Sequence, residues 1–312
     1  MRPPDAPHAR AARLALSFRA DRAATELFAQ LRARELDAIL LRGPAIARRL
    51  YADGDRAYGD CDILVDETRR GEIEQVIAEL DFVSYTPLAS AQHWHRDRDG
   101  VEIDLHRALN GAHVANPVLW SAFSAHRTPF DLDGTPITTL DEAGTAVVVA
   151  LHAAQHGALV PHTLHDLERA LVVWDVELWR RAAALAEEIG GLVAFRQALT
   201  MIPSGEERLA ALGLHPAVSM RSTLRRRGVS VPLYLTEALT PLERLTIVLR
   251  RVAPSRAELA KTFDPRAANS TPRLLAVHAH RLGRLPLHAA RLLVRSRRAR
   301  AEALAIRRQH AG

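Results

Sequence analysis

Gly59-Asp60-Cys61-Asp62-Ile63-Leu64-Val65 reads as a buried β-strand that opens with two acids. Side chains alternate along a strand, so Asp60 and Asp62 share one face and Cys61 takes the opposite, inward one. Two carboxylates this close on one face repel unless a cation lies between them. Mg²⁺ suits the place, because it takes carboxylate oxygen and keeps waters for substrate phosphates. The plain alternative is a pair of solvated acids in a turn ahead of a strand.

Leu36–Leu41 (LDAILL) is a short apolar run ending at Arg42-Gly43, and it reads as a buried strand. Pro44 suits the first turn of a short helix over 44–51, since its missing N–H has no partner there anyway. Upstream, residues 11–35 carry Ala, Leu and Phe at helical spacing without Gly or Pro. Downstream, Thr68 is placed to cap a helix over 69–80, whose Ile73, Val76, Ile77 and Leu80 form one stripe. Phe82–Thr86 is a third strand, and Gln92–Arg98 and Val101–Arg107 flank Asp99-Gly100, a hairpin signal. Residues 36–107 thus read β-α-β-α-β-β-β, an α/β module with a mixed sheet.

In the last of these strands Glu102, Asp104 and His106 share the face opposite Val101, Ile103 and Leu105. A solvent-facing strand gives the same pattern. If this strand neighbours 60–65, Asp104 becomes a third carboxylate. Three carboxylates can hold two Mg²⁺ about 4 Å apart, a pair that clamps the entering and leaving oxygens of phosphoryl displacement. The third can also take the proton of the attacking hydroxyl. Gly43 at a strand-to-helix junction permits close approach of phosphate, and Arg42 and Arg56 can each meet phosphate bidentately.

After residue 127 the character changes. Thr128–Thr139 (TPFDLDGTPITT) reads as a connector or a small hairpin. Residues 141–154, 165–188, 192–201, 240–252 and 273–308 are helical in pattern, and 202–235 is mixed, broken by Pro203, Gly205, Gly213 and Gly228. The expected divisions are an N-terminal helical segment (1–35), the α/β module (36–127), a helical domain flanking the cleft (128–235) and an Arg-rich helical tail (236–312).

Of 312 residues, 48% are hydrophobic and 25% charged, an ordinary globular balance. Aromatics are only 5%, so the core rests on Ala, Leu and Val. No apolar run reaches 18 residues, and the first residues lack an apolar signal core, so neither a membrane span nor a secretory leader is expected. The single cysteine, Cys61, excludes a disulfide framework and fits a reducing cytoplasm. The net charge of +6 is concentrated at one end: residues 273–312 hold ten arginines against one glutamate, leaving the rest of the chain at −3. Such a segment can meet nucleic acid, anionic lipid or an acidic patch of its own chain. It lacks the interleaved aromatics that stack bases, and an amphipathic helical end with solvated Arg accounts for it.

Leu41-Arg42-Gly43, Leu50-Tyr51, Arg56-x-x-Gly59-Asp60-x-Asp62-x-Leu64-Val65 and Val101-x-x-Asp104-Leu105-His106 together resemble the bacterial uncharacterised nucleotidyltransferases of the DNA polymerase β-like superfamily. The resemblance spans roughly residues 30–200 and continues in Leu151-His152, His156 and Asp166-Leu167. It implies an α+β fold: a mixed nucleotidyltransferase sheet with helices, followed by a mainly α-helical C-terminal domain. It further implies transfer of a nucleoside monophosphate from an NTP, ATP among them, to a hydroxyl-bearing acceptor, with pyrophosphate released. Asp60, Asp62 and Asp104 become the catalytic residues and the ligands of two Mg²⁺ ions. Arg42, Gly43, Arg56 and Gly59 become the nucleotide contacts. Members usually carry Lys where this chain has Arg42, and the superfamily's Gly-Ser pair is here Gly43-Pro44. A small molecule or peptide is the favoured acceptor, with RNA also open.

His152 and His156 lie one helical turn apart, the spacing of metalloprotease zinc ligands, but Ala153 stands where their glutamate belongs. A structural pair bonded to Asp166 or backbone, or a pair touching substrate in the cleft, fits better. His106 shares a face with Asp104 and reads as a substrate or outer contact, with His93 or His95 facing it across the hairpin. No Walker A, GxGxxG or GxSxG motif is present. The competing functions are an inactive nucleotide-sensing or scaffold protein, and a nucleic-acid binder acting through the Arg-rich tail.

Overall fold

A computed structural model of the chain describes residues 7–87, 91–157, 160–217 and parts of 271–301. The chain divides into two compact units, residues 1–219 and 220–312. Within the second, the described residues between 271 and 301 are helical; the expected 240–252 helix and the rest of the tail lie outside the described residues.

The first unit is built on a seven-stranded mixed sheet in the order β3-β4-β5-β2-β1-β7-β6. Its strands are β1 (Ala38–Leu40), β2 (Asp60–Val65), β3 (Val83–Pro87), β4 (Ala91–Arg96), β5 (Val101–His106), β6 (Arg127–Leu132) and β7 (Thr135–Leu140). The pairs β2–β5 and β1–β7 are parallel, and the other four are antiparallel. The segment 128–139, open between connector and hairpin in the sequence, is a hairpin that joins this sheet beside β1. The sheet therefore runs past residue 127 to Leu140.

One face of the sheet is covered by α1 (Pro7–Ala33) and α3 (Arg70–Glu79). The α1 stripe Ala20, Ala23, Ala24, Leu27, Phe28 and Leu31 packs in one buried cluster with Cys61, Ile63, Val65, Val101, Ile103 and Leu105. Small alanines let this helix lie close enough for the Cys61 thiol to donate to the Ala20 carbonyl at 3.3 Å. The same helix fixes the approach to β2. The Tyr58 N–H donates to Ser17 Oγ at 3.0 Å and the Tyr58 hydroxyl donates to Asp21 Oδ1 at 2.7 Å.

The opposite face meets a helical layer of α2 (Pro44–Leu50), α4 (Asn116–Ser124), α5 (Glu142–His156), α6 (Pro161–Val173), α7 (Val176–Glu188), α8 (Leu192–Leu199) and α9 (Pro203–Ala211). Eleven of the fifteen α5 residues are buried, which makes it the axis of that layer, contacted by α6, α7 and α8. The expected 165–188 helix is two helices. Trp174 is extended, and the Asp175 side chain caps the next helix by accepting from the Leu178 N–H at 2.8 Å. Pro203, read as a break, instead starts α9, where a missing N–H costs nothing. Thr68 does not cap α3: the preceding residue is Arg69, with no side-chain cap.

Candidate active site

Sheet register brings the polar residues into rows. Across β4, β5 and β2, His95 lies beside Glu102 and Asp60, His93 beside Asp104 and Asp62, and Ala91 beside His106 and Leu64. All the acids and imidazoles of these rows face the helical-layer side, because their strand neighbours Cys61, Ile63, Ile103 and Leu105 fill the core under α1. The hydrophobic cluster on the helical side takes Ile39, Leu41 and Leu64 but stops short of the first residues of β2 and β5, which leaves a polar floor there.

The hairpin register differs from the sequence reading. Asp99-Gly100 is not a two-residue turn; Arg96 pairs with Val101 across a four-residue loop, 97–100. That displaces the pairing by two residues, so His93 faces Asp104 and not His106. The Arg96 guanidinium holds the loop through Asp99 at 2.8 Å and Glu26 at 2.7 Å.

Asp62 is the buried centre. Its Oδ1 accepts from Arg42 and lies 2.8 Å from His106 Nε2. Burial pushes the Asp62 carboxyl up, but the Arg42 charge and the His106 contact outweigh it and hold the group well below the usual carboxylate range. Asp60 goes the other way. The neighbouring Asp62 charge and burial raise it to about 6. Asp104 is bonded through Oδ1 to His93 Nδ1, a residue singled out in the sequence only for the wrong partner. Among the described residues, one three-ligand group could hold a metal: Asp62, Asp104 and His106, with ligand atoms within 4.8 Å of one another. Asp60 borders this group without belonging to it.

Gly43 opens α2 with φ 65° and ψ −117°. A Cβ there would lie 3.0 Å from the Asp60 carbonyl oxygen, so glycine is what lets this turn pass so close to the acidic strand. Gly59 lies against Leu16 of α1. Arg56 is committed elsewhere. Its Nε and one Nη donate to the two oxygens of buried Asp166 at 2.8 Å each, and its other Nη reaches the Gly43 carbonyl at 3.4 Å. The Tyr51 hydroxyl also donates to Asp166, at 2.7 Å. Asp166 therefore serves Arg56 and Tyr51, and the His152–His156 pair is not what occupies it. Those two imidazoles are stacked edge to face, 4.8 Å between centroids, with His162 of α6 6.4 Å from His152. Burial, the Arg42 charge and His156 hold His152 well below the ordinary histidine value. This places it within electrostatic reach of the acidic floor.

The first unit thus combines a mixed sheet with helices on both faces and carboxylates gathered on adjacent parallel strands beside a glycine turn. Residues 8–204 match the uncharacterised nucleotidyltransferase family, and the chain belongs to it. No curated protein matches the chain. Among solved structures it is similar to the antibiotic-resistance factor ANT(2'')-Ia in solution (15% identity, TM-score 0.40, 52% of this chain and 88% of that one). It is also similar to ANT(2'')-Ia in complex with adenylyl-2''-tobramycin (16% identity, TM-score 0.42, 54% and 97%). A third is an antigenic nucleotidyltransferase-like protein from Paracoccidioides brasiliensis (14% identity, TM-score 0.34, 58% and 92%).

Proposed function

We propose that the protein transfers a nucleoside monophosphate from an NTP to a hydroxyl of a small-molecule or peptide acceptor and releases pyrophosphate. The observation that carries this reading is the row in which Asp62 and Asp104 lie side by side on parallel strands, with Asp60 on the same face and the Gly43 turn against it. The donor set fits a divalent cation: two carboxylates and an imidazole converge, and a guanidinium already holds positive charge among them. When bound, Mg²⁺ supplies charge neutralisation for the phosphates and Lewis-acid polarisation of the α-phosphoryl group.

The chain's own residues account for the remaining roles. Asp62, Asp104 and His106 would hold the ion, with Asp60 beside them on the same sheet face. The Gly43 turn and the N-terminus of α2 receive the triphosphate, helped by Arg42. Asp104 accepts the proton of the acceptor hydroxyl as that oxygen bonds to the α-phosphorus and the α–β anhydride bond breaks. His93 orients the Asp104 carboxylate. Arg56, spent on Asp166, acts by fixing the Gly43 carbonyl and not as a free phosphate ligand. His152, disfavoured in its charged form by burial and the Arg42 charge, borders the acceptor side with His156 edge to face beside it.

The test is thermal denaturation with each NTP, with and without Mg²⁺, on wild type and Asp60→Ala/Asp62→Ala. A ligand that binds the native state raises the midpoint by mass action. A Mg²⁺-dependent rise with one or more nucleotides, absent in the variant, is expected. No rise with any nucleotide overturns the reading.

A further inference from the structure

A cation already sits among the acids: the guanidinium of Arg42. One of its Nη atoms bonds Asp62 Oδ1 and lies 3.4 Å from His106 Nε2. Those two residues supply two of the three donors that converge within 4.8 Å, the third being Asp104. A single charged nitrogen of the chain thus touches two of the three donors that a metal ion would need. Asp60 and Asp104 also face the Arg42 charge. His106 is buried and Asp62 is 2% exposed, so solvent does little to screen these groups.

We propose that Arg42 is the resident cation of a metal site built by Asp62, Asp104 and His106, and that a divalent ion binds only as the Arg42 side chain leaves Asp62. The inference rests on the nucleotidyltransferase reading. Two cations at contact distance on one carboxylate oxygen repel strongly in a poorly screened site, so each disfavours the other's occupancy. The exchange needs little backbone movement. The Leu41 N–H is bonded to the Asp62 carbonyl at 2.8 Å, and the Gly43 carbonyl is held by the first turn of α2 at 3.0 Å. Only the Arg42 side chain has to swing. It projects from the residue before the turn assigned to the triphosphate, and a released guanidinium pairs with phosphate oxygens bidentately. Nucleotide then draws Arg42 out as the metal enters, so the two ligands bind cooperatively although each has its own contacts.

The experiment titrates Mn²⁺, an ion that accepts both imidazole and carboxylate, into the nucleotide-free full chain and reads the free ion by electron paramagnetic resonance. Arg42→Gln removes the competing charge and is expected to bind Mn²⁺ about tenfold tighter or more than wild type. Arg42→Lys keeps the charge and is expected to stay within about threefold of wild type. Arg42→Gln binding no tighter than wild type overturns the proposal. A second measurement does not depend on that variant folding: the Arg42 Nε–H resonance of wild type, assigned by its loss in Arg42→Lys, should shift when Mg²⁺ and a non-hydrolysable NTP are added together. An unmoved resonance despite binding also overturns it. If wild type takes up no Mn²⁺ even with nucleotide, the nucleotidyltransferase reading fails and this inference with it. If wild type binds Mn²⁺ with nucleotide but neither readout responds to Arg42, this inference alone fails.

Discussion

Asp60 and Asp62 are two residues apart on one strand face and shift in opposite directions, because the Arg42 guanidinium bonds Asp62 and not Asp60. Arg42 bonds Asp62, and the repulsion falls on Asp60, raised from about 3.8 to about 6. In the unfolded chain Asp60 regains its ordinary value, so the native state binds the proton more tightly. The associated stability is fully present below about pH 4 and is lost as pH rises to about 6. Above that, ionised Asp60 costs the metal-free fold about 2 kcal/mol, allowing for partial solvent screening. Asp60→Asn is therefore expected to raise the metal-free melting midpoint at pH 7.5 by about 5 °C. The gain should shrink toward zero by pH 4. A midpoint below that of wild type at pH 7.5 would contradict the repulsion. For turnover, Asp62→Ala and Asp104→Asn should each lower kcat by about 100-fold or more, and Asp104→Asn should leave NTP binding nearly intact. Steady-state kinetics separate the two effects, and wild-type turnover in either variant removes that residue from the site.

At the scale of elements, the site depends on how α2 is pinned to the sheet on one side and to α6 on the other. At Gly43, φ of 65° and a 3.0 Å approach to the Asp60 carbonyl leave no place for a side chain. Gly43→Ala is expected to cost about 1–3 kcal/mol and to weaken Mg²⁺ binding, because the strain relaxes by moving the first residue of β2. Denaturant melts and metal titration check the two parts. On the α6 side, Arg56 is 10% exposed and Asp166 2%, and their bidentate pair leaves a buried charge when either is removed. Asp166→Asn should cost about 3–5 kcal/mol in denaturant unfolding, well above the value of an exposed pair. Local patterning made much of this legible. Alternation in Asp60–Val65 and Val101–His106 marked both strands and their polar faces, and Pro44 marked the start of α2. What local patterning does not carry is pairing across the chain. That β5 lies parallel to β2, that β7 closes on β1, and that Asp166 meets Arg56 110 residues away are set by packing of the whole sheet and helical layer. His93 opposite Asp104 was nearer to hand. Counting a four-residue loop in place of a two-residue turn recovers that register.

For the whole molecule, the question is which part of the chain the site needs. Among the described residues, both buried clusters draw on residues between Ala20 and Leu209, and the family match ends at residue 204. Every donor in the acidic rows, the Gly43 turn and the Arg56–Asp166 pair falls inside the first unit, residues 1–219. A chain ending at Ser219 is therefore expected to fold cooperatively and to keep its Mg²⁺-dependent thermal shift with NTP. The arginine surplus falls outside it, so charge-driven contacts should separate from chemistry. If residues 273–312 bind nucleic acid, affinity should fall steeply between 50 and 200 mM salt, because each neutralised phosphate releases counterions, and the shortened chain should lose that binding altogether. Filter binding across a salt series, run beside thermal shift on both chains, measures the two properties independently. Loss of the NTP shift on truncation would mean that the second unit contributes to the nucleotide site. Retention of the shift with loss of salt-sensitive binding would assign nucleotide to the sheet and polyanion contact to the tail, with the acceptor then to be sought on the first unit alone.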